Sequence, residues 1–267
     1  MTMTYTETFS AEQLLACLKK LELSQPVELT LAGLNTLLFR QLTHIPFDSL
    51  DIWATGTCPS LKLEDLFEKF ILRGRGGYCF ELNTFFRSLL NALGFDAWQV
   101  MAYILNPDGT PQPPAHNAIL CRLNGSVYFC DVGYGGPVPY EALELKEGLQ
   151  KGFRLTRHLD GLWFLSRVTE TEERPTIAFR DIPAAIHDLI PLNFYISQRP
   201  DSHFRHRIHL SRRNADGSIY SIDGTTFKIH RADGVTVREL TSIADLRQIT
   251  KDWFGMDPHT VPLRDRL

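Results

Sequence analysis

The stretch Arg75-Gly76-Gly77-Tyr78-Cys79-Phe80-Glu81-Leu82-Asn83 decides how this chain is read. Two consecutive glycines let the backbone turn tightly. The apolar positions that follow, Leu82, Phe86, Leu89, Leu90 and Leu93, recur at helical spacing until Gly94 closes the segment. Cys79 therefore falls in a first helical turn, where unpaired N–H groups and the positive end of the helix dipole favour a thiolate. A cysteine standing alone at a helix start is also an ordinary small buried residue. Its chemistry depends on a base, and the base depends on a group that orients it.

Both partners have candidates downstream. His116 lies in Pro114-Ala115-His116-Asn117-Ala118, and Asp131 opens Asp131-Val132-Gly133-Tyr134-Gly135-Gly136. Between them, Asn124-Gly125 is a strong signal for a two-residue type I′ hairpin. If Leu123 pairs with Ser126, Ala118 lies opposite Asp131, and His116 projects from the same face as Asp131 on the diagonal. Diagonal neighbours are ~7–8 Å apart at the backbone, within reach of an imidazole and a carboxylate. A three-residue turn would put the two on opposite faces. In the first register Cys121 and Cys130 occupy the face away from His116, which suits buried packing.

Upstream of the cysteine the pattern is helical. Ser10 and Gln13 make a capping box before the stripe Leu14, Leu15, Leu18 and Leu21. Thr30 opens a helix carrying Leu31, Leu34, Leu37, Leu38 and Leu42 that stops before Pro46. Ser60 caps a third, burying Leu63, Leu66, Phe67, Phe70 and Ile71. After Gly94 the period changes to two, with strands expected over 98–105, 117–123, 126–132 and 161–168. Further strands are expected over 207–211, 218–222, 226–230 and 235–240. A last helix starts at Ser242, with Asp245 three residues on, and ends at Gly255. The order is helices, then an antiparallel barrel or sandwich, then a small α/β unit.

Composition excludes several classes. Among 267 residues, 28 Lys and Arg face 31 Asp and Glu for a net charge of −3, whereas nucleic-acid binders carry a basic excess. No run approaches the ~20 apolar residues of a membrane span, and residues 1–7 lack the basic and apolar regions of a signal peptide. A cytoplasmic protein with no nucleic-acid or membrane partner is expected. Five cysteines without a CxxC pair argue against a disulfide framework or a zinc ribbon. His203, His206 and His209 recur every third residue, but Ile208 and Leu210 suggest a strand, whose alternation would not converge all three. No metal site is expected.

Further stretches fall in a recognisable order around the cysteine block: Ile45-Pro46-Phe47-Asp48-Ser49-Leu50, His116 before an apolar strand, Asp131-Val132-Gly133-Tyr134-Gly135, Ser197-Gln198-Arg199-Pro200-Asp201-Ser202-His203-Phe204, and Trp253-Phe254-Gly255. With these the sequence resembles the arylamine N-acetyltransferases, a family sharing a Cys-His-Asp triad with papain-like proteases and transglutaminases. Asp48-Ser49 stands where Glu-Asn is common, and Tyr134 where Phe is usual. The resemblance implies an α+β fold: an N-terminal helical bundle (1–94), a central antiparallel β-barrel (95–192) and a C-terminal α/β lid (193–267). It also implies acetyl-CoA as donor, arylamines, hydrazines or N-hydroxyarylamines as acceptors, and a place in foreign-amine metabolism as a monomer or homodimer.

In that reading Cys79 is the nucleophile, His116 the base and Asp131 its orienter. Gly133 and Gly135 let donor and acceptor approach the backbone, and Phe47, Tyr134 and Phe204 wall the acceptor pocket. Arg75, Glu81 and Asn83 brace the Gly-Gly turn. The basic run Arg205, Arg207, Arg212 and Arg213 reads first as a solvated strand face and second as a contact for CoA phosphates. The twelve residues after Gly255, polar and interrupted by Pro258 and Pro262, are expected to leave the cleft mouth open. Two rivals keep the same residues: a cysteine hydrolase or transglutaminase-like acyl transferase, and a catalytically silent binding module.

Overall fold

A computed structural model describes residues 8–265 and 267, so the signal-peptide reading of residues 1–7 lies outside the described residues. The capping box forms at α1 (Ala11–Lys20): Gln13 N–H donates to the Ser10 hydroxyl at 3.2 Å, and Ser10 N–H donates to the Gln13 side chain at 3.0 Å. Cys17 and Leu21 are buried with Leu14 and Leu18 against them, but Leu15 is 67% exposed, outside the stripe assigned to it. One residue on from Leu14 is a 100° rotation, enough to leave the buried face. Thr30 caps α2 (Leu31–His44) through Gly33 N–H at 3.1 Å. There follow β1 (Phe47–Asp48), α3 (Leu50–Thr55), α4 (Leu63–Phe67), a π-helical turn (Glu68–Leu72) and α5 (Cys79–Ala92). Ser60 stands two residues before the α4 cap and serves the loop instead, accepting from Lys62 N–H at 3.2 Å and donating to Asp65 at 2.5 Å.

Eight strands then build one antiparallel sheet: β2 (Asp96–Leu105), β3 (Pro111–Leu123), β4 (Ser126–Cys130), β5 (Leu143–Glu144), β6 (Gly148–Gln150), β7 (Phe153–Arg157), β8 (Trp163–Val168) and β9 (Glu173–Ala184). Their order is β5-β4-β3-β2-β9-β8-β7-β6. The edges β5 and β6 meet through one side chain: the Gln150 amide accepts from Glu144 N–H at 3.0 Å and donates to Glu144 O at 2.8 Å. The sheet is thereby an almost closed barrel. Val100, Ala102, Ala118, Leu120, Phe129, Leu165 and Phe179 fill its interior, while Ile119, Cys121 and Cys130 face the helices. Asn124 and Gly125 take positive φ (51° and 85°), as a type I′ turn requires, and Leu123 pairs with Ser126. The two-residue register is the one adopted.

A second sheet, β1-β10-β11-β12-β13, is made from β10 (His209–Arg213), β11 (Ile219–Asp223), β12 (Thr226–Arg231) and β13 (Gly234–Glu239). Its first strand comes from the helical part of the chain, with Phe47 opposite Ser211. Ser242 caps α8 (Ile243–Phe254), which ends at Gly255 with φ 67°. Three helices were not anticipated, the short α3 among them. α6 (Ile186–Gln198) contains Pro191, which argues locally against a helix, and α7 (His203–His206) is a single turn where a strand was expected to begin. No helix among the described residues is long and apolar enough to cross a membrane.

The basic run is not a solvated face. Arg213 is buried over the Tyr140 ring and donates to Gly136 O, Arg212 donates to Trp253 O at 3.3 Å, and Arg205 to Gln198 O at 3.3 Å. Only Arg207 stays half exposed, 3.2 Å from Asp223. These side chains tie segments together. The tail also docks: Met256 and Val261 are buried and Leu263 packs beside them.

Candidate active site

The cysteine helix is placed by contact with β1. Asp48 N–H donates to Gly77 O at 2.8 Å, and Phe47 bridges Gly77 in parallel. Neither glycine of the pair has a positive φ; both are required by proximity. A Cβ on Gly76 would lie 2.1 Å from Pro46 O, and one on Gly77 2.7 Å from the Phe70 ring. The turn is braced by ions. Arg75, itself buried, donates from Nε and Nη2 to Asp48 Oδ2 at 2.8 and 2.7 Å, from Nη2 to Asp51 at 3.2 Å and from Nη1 to Thr260 O at 2.9 Å. Glu81 accepts from Tyr78 N–H at 3.1 Å and from Lys69 at 2.7 Å, and Lys69 also pairs with Asp51. Burial of Glu81 outweighs the Lys69 charge and raises its carboxyl to about 7.

At the head of α5, Cys79 meets His116. The hairpin register brings His116 Nε2 to 2.6 Å from Asp131 Oδ2, both side chains almost wholly buried. A carboxylate only accepts, so Nε2 carries the proton and Nδ1 is the ring's free nitrogen. Burial opposes a charged ring here, but the Asp131 carboxylate and a hydrogen bond with Cys79 outweigh it and lift His116 to about 10. The buried pair can thus hold an imidazolium beside sulfur at neutral pH.

Asp131 is fixed from its other oxygen. Oδ1 accepts from Gly133 N–H at 2.8 Å, Tyr134 N–H at 3.1 Å and the Asn83 amide at 3.0 Å. Arg75 and Glu81 brace the Gly-Gly turn as expected; Asn83 does not. It points across to the Asp131 loop, because one helical turn beyond Cys79 it faces the barrel and not Gly76. Gly133 lines the cavity described below, and the place of its Cβ is filled by Cys79 Cα at 2.7 Å, so its lack of a side chain also admits the helix.

A cavity of about 450 Å³ opens on this group. Cys79, His116, Gly133, Tyr134, Gly135, Phe47 and Phe204 all line it. Phe47 and Phe204 lie 6.2 Å apart between ring centres, Gly135 packs on the Phe47 ring, and Tyr134 stands edge-on to His116 at 5.8 Å. The opposite wall, from α6, α7, β10 and β11, brings Arg199, Ser202, His203, His209 and Asp223, none of which was expected at the site. The His203 and His209 rings touch at 5.0 Å, while His206 turns away to Pro200 O. Burial and the neighbouring His209 hold His203 down at about 4, so it is neutral at pH 7. A signal for α6 was present: Ile186, Leu189, Asn193 and Ile196, all buried, are spaced three, four and three residues apart. Among the described residues no group of three or more His, Cys, Asp or Glu side chains is arranged to hold a metal.

The profile of the N-acetyltransferase family matches residues 30–260. An arylamine N-acetyltransferase of Mycolicibacterium smegmatis is 29% identical over 245 residues, 88% of each chain. A Salmonella typhimurium relative, named arylamine N-acetyltransferase / N-hydroxyarylamine O-acetyltransferase, is 26% identical over 242 residues, covering 87% of this chain and 84% of its own. The solved Mycobacterium marinum arylamine N-acetyltransferase in complex with CoA superposes with a TM-score of 0.84 at 25% identity, covering 93% of this chain and 97% of that one.

Proposed function

The chain belongs to the arylamine N-acetyltransferase family, and from that premise we propose that it passes acetyl from acetyl-CoA to arylamines through Cys79, with His116 as base and Asp131 as orienter. The observation that carries this is the single cavity on which Cys79 meets a buried His116 already held by Asp131 at 2.6 Å. Starting from thiolate and imidazolium, Cys79 attacks the thioester carbonyl and the bond to the CoA sulfur breaks. His116 gives its proton to that leaving sulfur. When an amine attacks the acetylated Cys79, neutral His116 takes the amine proton and the Cys79 thiolate leaves, which restores the ion pair. Asp131 holds the Nε2 proton throughout and stabilises the imidazolium.

Phe47, Tyr134 and Phe204 wall the acceptor ring, and Gly133 and Gly135 leave room beside the sulfur for the acyl group. Acetyl-CoA as donor is supported by the CoA complex of the M. marinum relative, and O-acetylation of N-hydroxyarylamines by the name of the Salmonella one. Hydrazines fit the same chemistry, since they too present a nucleophilic nitrogen. Segments 1–94, 95–192 and 193–267 supply the nucleophile, the base with its orienter, and the far wall. A cytoplasmic protein, monomeric or dimeric, acting on foreign amines completes the reading.

Incubation with acetyl-CoA and no amine tests it. One equivalent of CoA is released, mass mapping finds acetyl on Cys79, and adding an arylamine discharges it with parallel initial-rate lines. Continuous CoA release without amine would identify a hydrolase, and an unlabelled Cys79 a silent binding module.

A further inference from the structure

Asn83 sits one helical turn past Cys79 on α5 and is 0% exposed. Its amide is spent on three groups from the two other parts of the site. Nδ2 donates to Asn117 O, the residue after His116, at 2.6 Å, and to Asp131 Oδ1 at 3.0 Å. Oδ1 accepts from Val132 N–H, the residue after Asp131, at 3.0 Å. One side chain on the nucleophile's own helix thus ties down the backbone beside the base, the backbone beside the orienter and the orienter's carboxylate.

We propose that Asn83 is the positioning residue of this site: it fixes which oxygen of Asp131 faces His116 and at what distance the barrel pair stands from Cys79. This rests on the Cys79–His116–Asp131 reading. With the Gly133 and Tyr134 N–H groups, Asn83 gives Asp131 Oδ1 a third donor and leaves Oδ2 for His116. Only an amide of this length serves. An aspartate keeps the shape but cannot donate to Asn117 O and sets a second carboxylate about 3 Å from the first. The fit is tight on both sides, since a Cβ on Gly133 would lie 2.7 Å from Asn83 Nδ2.

The test compares Asn83→Asp, Asn83→Ala and Asp131→Asn, alone and combined, by steady-state kinetics, by the pH profile of Cys79 alkylation with iodoacetamide and by thermal unfolding. Misplacing reacting groups by up to about 1 Å costs up to about 100-fold in rate. Asn83→Asp and Asn83→Ala are expected to lose that much in kcat while KM for acetyl-CoA changes by less than about 3-fold. The alkylation profile should move to higher pH, which a loss of packing alone would not produce. Added to Asp131→Asn, Asn83→Ala should cost less than it costs alone, because one of its three bonds acts through the same carboxylate. Wild-type kcat and alkylation profile in either folded Asn83 variant would overturn the proposal, as would a full additional loss in the double variant. If neither variant folds even at 10 °C, the residue is structural and the proposal falls. Wild-type turnover by Asp131→Asn alone would instead overturn the triad reading on which the role rests.

Discussion

Replacing Gly133 with alanine probes the contact that joins the nucleophile's helix to the Asp131 loop. An ideal Cβ there lies 2.7 Å from Cys79 Cα, 2.9 Å from Cys79 O and 2.7 Å from Asn83 Nδ2, whereas ordinary contact begins at 3.4 Å. Relief requires the loop and the helix head to part by about 0.7 Å. Gly133 has no positive φ, so the obstacle is purely steric. Two of the three atoms are backbone, and Asn83 is held by three hydrogen bonds, so no flexible side chain can swing aside. Overpacking of this kind costs about 1–3 kcal/mol, or roughly 2–12 °C in Tm for a chain of this size. A misplacement approaching 1 Å between reacting groups costs up to about 100-fold in rate, so kcat is expected to fall by about 10–100-fold in a protein that still folds. Differential scanning calorimetry gives the first quantity and CoA release with a saturating arylamine the second. Unchanged Tm with unchanged kcat would refute the close approach. A raised KM for acetyl-CoA with kcat intact would show that Gly133 serves donor access instead.

Three further outcomes are expected. His116 is raised from 6.5 to about 10 in the folded state, so the stability it contributes is complete below pH 6.5 and is lost as pH climbs to about 10. His116→Asn should flatten the decline in urea midpoint over that window, and parallel declines would contradict the assignment. Arg75→Met leaves Asp48 buried without its partner, costing about 3–5 kcal/mol and roughly 6–20 °C in Tm; a smaller drop than that range in calorimetry would mean the ion pair is replaceable. Deleting residues 257–267 removes Thr260 O from Arg75 and the buried Val261. It should lower Tm by several degrees and leave both KM values unchanged at 25 °C, since no described residue of the tail lines the cavity. A changed KM in the folded truncation would place the tail at the cavity mouth.

What the sequence by itself determined was local. Ser10, Thr30 and Ser242 mark helix starts because a cap bonds a backbone N–H three residues away. The period changes after Gly94 because strand and helix project side chains at different intervals. Asn124-Gly125 sets the hairpin register because its left-handed backbone admits few alternatives, and that register places His116 and Asp131 on one face. The tertiary structure alone decided the rest. Arg75 meets Asp48 across 27 residues, Asn83 meets Asp131 across 48, and Arg75 meets Thr260 across 185. The wall of His203 and His209 exists only once β1 joins the second sheet. Gly133 is required not by its own backbone but by the helix that arrives against it. Caps and turns are chosen within one turn of chain, where spacing in sequence is spacing in space. Buried polar partners and close backbone approaches are settled at about 3 Å, between groups whose separation along the chain carries no information about their meeting.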